Sequence, residues 1–314
     1  MEKENIVVSI RCLAYNHEQF IRECLDGFVM QKTNFRFEAV VHDDASTDKT
    51  PEIIREYAEK YPNIIKPIFE TENQYSKHNG TLGKIMDAAC KGKYIAMCEG
   101  DDYWTDPLKL QKQVDILEAD QSLMAVVTNS KIVDLEGNEL KLKQENVVPS
   151  NKEGCYDLRS FMYKVHHYPT ATVCYRRTHG DEIAKMTKHM ANPYLGDWTL
   201  WIALHVYGDF YYLDEVTSAY RINPTSVTHT CDRVGRAKAN WTICRAVQDI
   251  LPDEYDDIRN SLNKKAWMWR DLAMAYRHEH QYLRMLWCFC VAFVKNPKEL
   301  IEVFKKRKNK SIVE

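Results

Sequence analysis

Apolar residues fall alternately in short runs and in helical stripes over the first 130 positions. Ile6-Val7-Val8-Ser9-Ile10 is β-branched, lacks helical spacing and predicts a buried strand. Phe20, Ile21, Cys24, Leu25 and Phe28 then recur at helical spacing. Phe37-Glu38-Ala39-Val40-Val41 predicts a second strand, running into His42-Asp43-Asp44-Ala45-Ser46-Thr47-Asp48. Thr50 and Pro51 predict a helix N-cap with proline at the first helical position, followed by Ile53, Ile54, Tyr57, Ala58 and Tyr61 on one face. Residues 63–69 predict a third strand. Leu82, Ile85, Met86 and Ala89 mark a helix that Gly92 ends. Tyr94-Ile95-Ala96-Met97-Cys98 predicts a fourth strand. Pro107 opens a helix with Leu110, Val114 and Leu117 inward, and residues 123–128 predict a fifth strand. This alternation predicts an α/β fold built from βαβ units, with a mostly parallel central sheet flanked by helices.

Beyond residue 130 the pattern loosens. Asp134-Leu135-Glu136-Gly137-Asn138 predicts a turn between strands, Ala171-Thr172-Val173-Cys174-Tyr175 a strand, and residues 210–216 another. Asp197 opens a helix carrying Leu200, Trp201, Leu204 and His205. Past Asp232 only helical spacing remains, with Trp267, Trp269, Leu272, Met274 and Tyr276 packing as a helical appendage. The expected division is a domain over 1–230, with halves 1–130 and 131–230, and a helical extension over 231–314.

Composition narrows the function classes. Of 314 residues, 45% are hydrophobic and 28% charged, an ordinary globular mix. A net charge of -2 supplies no basic field, which argues against nucleic acid as a partner. The ten cysteines include no CxxC pair, and the N-terminal residues lack the basic and apolar regions of a signal peptide. No apolar run reaches the roughly 18 residues of a membrane span. Together these predict a reduced, cytoplasmic protein.

The candidate chemistry centres on Glu99, Asp101 and Asp102, three acids within four positions at the carboxyl end of the fourth strand. Open α/β sheets bind ligands at that edge. Acids this close repel, and a hard divalent cation shared with a substrate diphosphate would neutralise them. The competing reading is a solvated acidic turn before the next helix.

Four segments in order carry a family resemblance: Val8-Ser9-Ile10 with Tyr15-Asn16-His17; Asp43-Asp44-Ala45-Ser46-Thr47-Asp48; Glu99-Gly100-Asp101-Asp102-Tyr103-Trp104; and Gly196-Asp197-Trp198 with Tyr220-Arg221. The sequence resembles the family 2 glycosyltransferases of GT-A, Rossmann-like fold, inverting enzymes that use nucleotide sugars. The likeness covers residues 5 to 228. It makes 1–130 a nucleotide-binding half and 131–230 an acceptor half.

The resemblance implies roles for residues. Asp44 would accept hydrogen bonds from the nucleobase edge, usually uracil; Ser46, Thr47 and Asp48 would cap the next helix. Ser9, Leu13 and Tyr15 would wall base and ribose, although Tyr15 also reads as a core aromatic. Asn73, with Lys77 and His78, would lie near the nucleotide or in a solvated loop. Asp101 and Asp102 would hold Mg²⁺ or Mn²⁺ on the diphosphate of the nucleotide, with His229 as a further metal ligand or a surface residue. Glu99 stands where the family has Asp. Arg221 would contact phosphate or orient Asp197. Asp197 would be the general base that deprotonates the acceptor hydroxyl, or an ordinary N-cap. His166 and His167 would border the acceptor.

The donor implied is a nucleotide sugar, a UDP-sugar in the first place; the acceptor is a saccharide or lipid-linked glycan. Residues 282–294 are apolar over much of the helix circumference, and Lys305-Lys306-Arg307-Lys308-Asn309-Lys310 follows. That pair suits an anionic inner leaflet; a core helix or a homo-oligomer contact is the alternative. Two rival functions remain. A nucleotidyltransferase would carry a Gly-rich loop after the first strand, and Arg11-Cys12-Leu13-Ala14-Tyr15-Asn16 contains no glycine. A catalytically silent nucleotide-sugar binder or membrane-docked scaffold would bind donor without turnover.

Overall fold

β1, Val8–Ala14, is the strand on which the sheet is laid. β2 (Phe37–Asp43) pairs with one edge and β4 (Tyr94–Met97) with the other, both parallel. β3 (Ile65–Phe69) extends the sheet beyond β2, again parallel. The computed structural model describes residues 5–140, 152–162, 168–190, 196–223, 233–263 and 266–298. Among these, β5 (Tyr103–Trp104), β6 (Leu123–Val133), β7 (Gly154–Tyr156), β8 (Val173–Arg176) and β9 (Asp209–Arg221) complete a mixed sheet of order β3-β2-β1-β4-β8-β6-β9-β5, with β7 paired to β9. β8 is antiparallel to both neighbours, whereas β6 and β9 run parallel through register shifts around Leu123 and Asn129.

The helices α1 (Ile21–Val29), α2 (Thr50–Lys60), α3 (Thr81–Ala89) and α4 (Lys109–Ala119) fill the crossovers, as the helical stripes predict. Ile21, Cys24, Leu25 and Phe28 of α1 are buried with Leu110, Val114 and Leu117 of α4 against Val8, Ile10 and Cys12. Boundaries move by a few residues. β1 runs to Ala14 instead of stopping at Ile10, and Thr50 is the first helical residue, with Lys49 at the cap position. Gly27 admits the next layer: a Cβ there would stand 2.9 Å from the Trp104 backbone nitrogen. Trp104 is buried edge-on to Phe28, donates its indole N–H to the Ala171 carbonyl and carries the Lys109 ammonium over its ring. Burial pushes that lysine's pKa down to about 8.

Further along lie α5 (Leu158–Ser160), α6 (Gly180–His189) and α7 (Gly196–His205). His205 of α7 is buried, stacked on Phe210 at 3.8 Å and on Phe161 at 5.0 Å, and neither ring nitrogen has a hydrogen-bond partner. Burial holds its pKa down to about 3. The unfolded chain therefore binds a proton at His205 that the folded chain refuses, between the ordinary value and the depressed one. Stability falls with acidification in that window by about 1.4 kcal/mol per pH unit. Urea melts of the protein and of His205→Phe should diverge by about 2 kcal/mol between pH 7 and pH 5. Parallel pH dependence of the two would contradict this.

The chain divides into two compact units, Met1–Ala184 with Leu200–Asn223, and Lys185–Thr199 with Pro224–Glu314. The first holds the sheet. The described part of the second includes the first turn of α7 and the helices α8 (Arg233–Ile250), α9 (Asp256–Asn263), α10 (Ala266–His278) and α11 (Tyr282–Lys295). In it, Leu272, Ala273 and Tyr276 of α10 pack with Val234 of α8 and Cys288 of α11.

Candidate active site

Three motif loops leave the carboxyl ends of adjacent parallel strands β2, β1 and β4. The chain steps from β1 to β2 on one side and reaches β4 on the other, so the crevice between β1 and β4 is the topological switch point at which such sheets bind ligands. The loops after β1 and β2 lock together. Ser46 Oγ accepts from the Asn16 amide, Asn16 Oδ1 accepts from the Thr47 amide, Thr50 Oγ1 accepts from the His17 amide, and Asp48 Oδ2 accepts from the Glu18 amide. Asp48 also accepts from Thr50 at the start of α2. Asp48 is thus the cap-like residue of the three expected to cap, while Ser46 and Thr47 join the loops.

Gly100 sets the acidic corner against this frame. Its amide donates to the Leu13 carbonyl at 2.9 Å, and an added Cβ would lie 2.7 Å from His17 Nδ1 and 3.1 Å from Ala14 Cβ. The close approach leaves Asp101 Oδ2 3.9 Å from His17 Nε2, with the Asp101 side chain 13% exposed. His17 Nδ1 is buried with no hydrogen-bond partner. His17 stands in the Tyr15-Asn16-His17 motif, where the family resemblance implies no role for it. The only signal for it is the motif itself, because the contact depends on the glycine packing.

Asp101 and Asp102 part company. Asp102 is buried, its Oδ1 accepts from the Arg221 amide at 2.8 Å, and burial together with the Asp101 charge pushes its carboxyl well above the usual carboxylate range. Asp102 thereby ties β5 to β9, and Asp101 is the more accessible of the two acids expected at the metal. Arg221 is buried beside it. Its side chain is 1% exposed, shielded from any phosphate. Nε donates to the Asp101 carbonyl at 2.9 Å, Nη1 to the carbonyls of Asp134 and Leu135, and Nη2 to Glu23 Oε2 at 2.5 Å. Phe20 and Tyr103 face the guanidinium at 4.7 and 5.4 Å.

Ser9 leaves the site altogether. It lies near the amino end of β1, fully buried, donating to Glu38 Oε1 and accepting from the Lys91 and Gly92 amides, which exhausts its hydroxyl. Ala14 lies five residue steps further along the strand, roughly 16 Å away. Tyr15, 46% exposed, stays at the carboxyl edge. Asp44 is buried there, accepting from the Gln74 amide at 2.7 Å and the Tyr75 amide at 3.0 Å. Asn73 donates to the Asp44 carbonyl and accepts from the Ser76 amide. Both residues thus hold the loop after β3 over the end of β2. Asp44 keeps a second lone pair on each oxygen for a further donor. Lys77 pairs with Glu72.

Asp197 belongs to the second unit, in the first turn of α7, where its Oδ1 accepts from the Trp198 amide at 2.8 Å. His229, His166 and His167 lie outside the described residues. Among the described residues no group of three or more His, Cys, Asp or Glu side chains could hold a metal. An Mg²⁺ or Mn²⁺ ion held largely by diphosphate oxygens needs only one or two carboxylates. Asp101 supplies one, and the donor set fits that demand. A surface hollow lined by Ile6, Arg36, Lys91, Lys93 and Arg177 shares no residue with the motif loops.

Against known families, residues 9–183 match the model for glycosyl transferase family 2. The chain belongs to that family. The family is the one the four motifs resemble. Among curated proteins, an uncharacterized protein of Mycobacterium tuberculosis is 35% identical over 226 residues, 71% of this chain and 61% of that protein. The chain thus spans about three fifths of that relative's length. Chondroitin synthase of Escherichia coli is 30% identical over 132 residues, 42% of this chain and 18% of the synthase. Among solved structures, S. aureus TarS 1-349 in complex with UDP superimposes with a TM-score of 0.61 at 16% identity, covering 91% of this family 2 chain and 81% of TarS 1-349. The mannosyltransferase PcManGT from Pyrobaculum calidifontis, in complex with GDP-Man and Mn²⁺, gives a TM-score of 0.57 at 17% identity, covering 99% of this chain and 81% of that one. At such identities the likeness is one of fold, and it establishes the GT-A architecture with C-terminal helices.

Proposed function

We propose that the protein is an inverting glycosyltransferase that moves a sugar from a UDP-sugar to a hydroxyl of a saccharide or lipid-linked glycan, with divalent-cation assistance. The observation that carries this reading is Asp101 beside His17 at the β1/β4 switch point of a family 2 chain. Asp101 would hold Mn²⁺ or Mg²⁺, which when bound offsets charge on the departing diphosphate. Asp44, at the edge where Tyr15 is exposed, would use its remaining lone pairs to accept from the base. Asp197 would take the proton of the acceptor hydroxyl as that oxygen attacks the anomeric carbon and the bond to the diphosphate breaks. The nine described cysteines are all free, which suits a reducing, cytoplasmic setting.

The test is donor turnover with UDP-sugars across an Mn²⁺ titration. Asp101→Asn should raise the Mn²⁺ concentration for half-maximal rate by roughly 10–100-fold, whereas Asp102→Asn, which can still accept from the Arg221 amide, should shift it far less. Donor binding without turnover at any metal concentration would make the protein a silent binder. Equal shifts in the two variants would contradict the separate roles given to the acids.

A further inference from the structure

The helix α11 carries an apolar face that its own unit leaves uncovered. Met285, Cys288, Phe289 and Ala292 turn inward among Leu272, Ala273, Tyr276 and Trp269. On the other side Leu283 is 85% exposed and Val294 81%, and Leu286, Trp287, Cys290 and Phe293 are exposed between them. These positions repeat at three- and four-residue steps and form one continuous stripe. A solvated helix would carry charges there. This one places its only charges, Arg284 and Lys295, three turns apart, so that both lie along the same edge of the stripe. No acid occurs from Gln281 to Lys298, and five cations, Lys305, Lys306, Arg307, Lys308 and Lys310, follow in the sequence.

We infer that α11 lies flat on an anionic lipid surface, with the stripe in the headgroup and acyl boundary and Arg284 and Lys295 on lipid phosphates. Charge selects this occupant. In an antiparallel pair of copies joined through the stripe, both basic edges would fall on the same side, four cations with no acid to balance them. An anionic leaflet supplies the balancing charge along the whole edge. Trp287 and Tyr282 have the amphipathic rings that settle at a lipid–water boundary. At 14 residues the helix is about 21 Å long. No helix among the described residues is long and apolar enough to cross a membrane, so contact through this helix is with the surface.

The test is co-sedimentation of the full chain with phosphatidylcholine vesicles and with vesicles in which roughly a third of the lipid is phosphatidylglycerol. The chain should pellet with the anionic vesicles only. Leu283→Gln combined with Val294→Gln, both at highly exposed positions, should raise the half-saturating lipid concentration on the order of tenfold with an unchanged melting temperature. Arg284→Gln and Lys295→Gln should each weaken binding roughly fivefold. Equal binding to neutral vesicles, or binding undiminished in the apolar double variant, overturns the inference. So does a concentration-dependent dimer in sedimentation velocity that the double variant abolishes, since a second copy would then cover the stripe. The assay reads no catalysis, so failure here leaves the transferase reading untouched.

Discussion

Asp197→Asn should lower the turnover number of sugar transfer by about 10²–10⁴-fold, the usual contribution of a positioned general base. The substitution is conservative in structure. The Asn oxygen can still accept from the Trp198 amide, one of the contacts of Asp197 in the first turn of α7. What Asn lacks is a basic oxygen to receive the acceptor proton. Donor affinity, measured by UDP displacement in the presence of Mn²⁺, should therefore stay within about twofold of the parent, because the general base acts on the acceptor and not on the nucleotide. An Asp197→Asn enzyme with parental turnover would remove Asp197 from the mechanism and leave its carboxylate as a helix-start residue.

The fold was legible because its elements are regular. Ile21, Cys24, Leu25 and Phe28 keep helical spacing, and Phe37 to Val41 is an unbroken strand run, so α1 and β2 fall where the pattern puts them. Strand ends were less legible, and Ser9 shows the cost. Arg11 breaks the apolar run, so the pattern ends β1 at Ile10 and puts Ser9 near its end. In the structure Arg11 pairs with Asp87 at the surface while Cys12 is buried, and the strand continues to Ala14. The error of four residues moves a nucleotide-binding candidate to the opposite edge of the sheet. The contact between Asp102 and Arg221 was illegible for another reason. They lie 119 positions apart, and nothing local tells that the β5–β9 ladder brings them together and buries both. Asp44 directly follows β2 and Asp101 comes four positions after the end of β4, and both stayed at the expected edge because those carboxyl ends were placed to within a residue or two.

Those buried contacts give the second large effect, on Arg221. Arg221→Met keeps most of the apolar stem and removes every side-chain donor. The carbonyls of Asp101 and Leu135 then lose this donor, the Asp134 carbonyl keeps only the Gly137 amide, and Phe20 and Tyr103 lose the cation between them. A buried acceptor left without a donor costs about 1–3 kcal/mol, and Leu135, 37% exposed, loses less because water can reach it. Glu23, whose side chain is 54% exposed, can turn to water, so its loss adds little. The expected destabilisation in urea melts is about 2–4 kcal/mol, a large share of the roughly 5–15 kcal/mol that holds a typical domain. Arg221→Lys should recover part of this, since one ammonium can reach some but not all of the carbonyls. The same guanidinium fixes the main chain at Asp101, so the surviving folded fraction of Arg221→Met should also need more Mn²⁺ for half-maximal rate, although Arg221 itself is shielded from substrate. A melt within 1 kcal/mol of the parent, together with an unshifted Mn²⁺ titration, would show that the acidic corner holds its shape without the arginine. The Asp102 carboxylate bonded to the main-chain amide of residue 221, which survives the substitution, would then be the contact that matters.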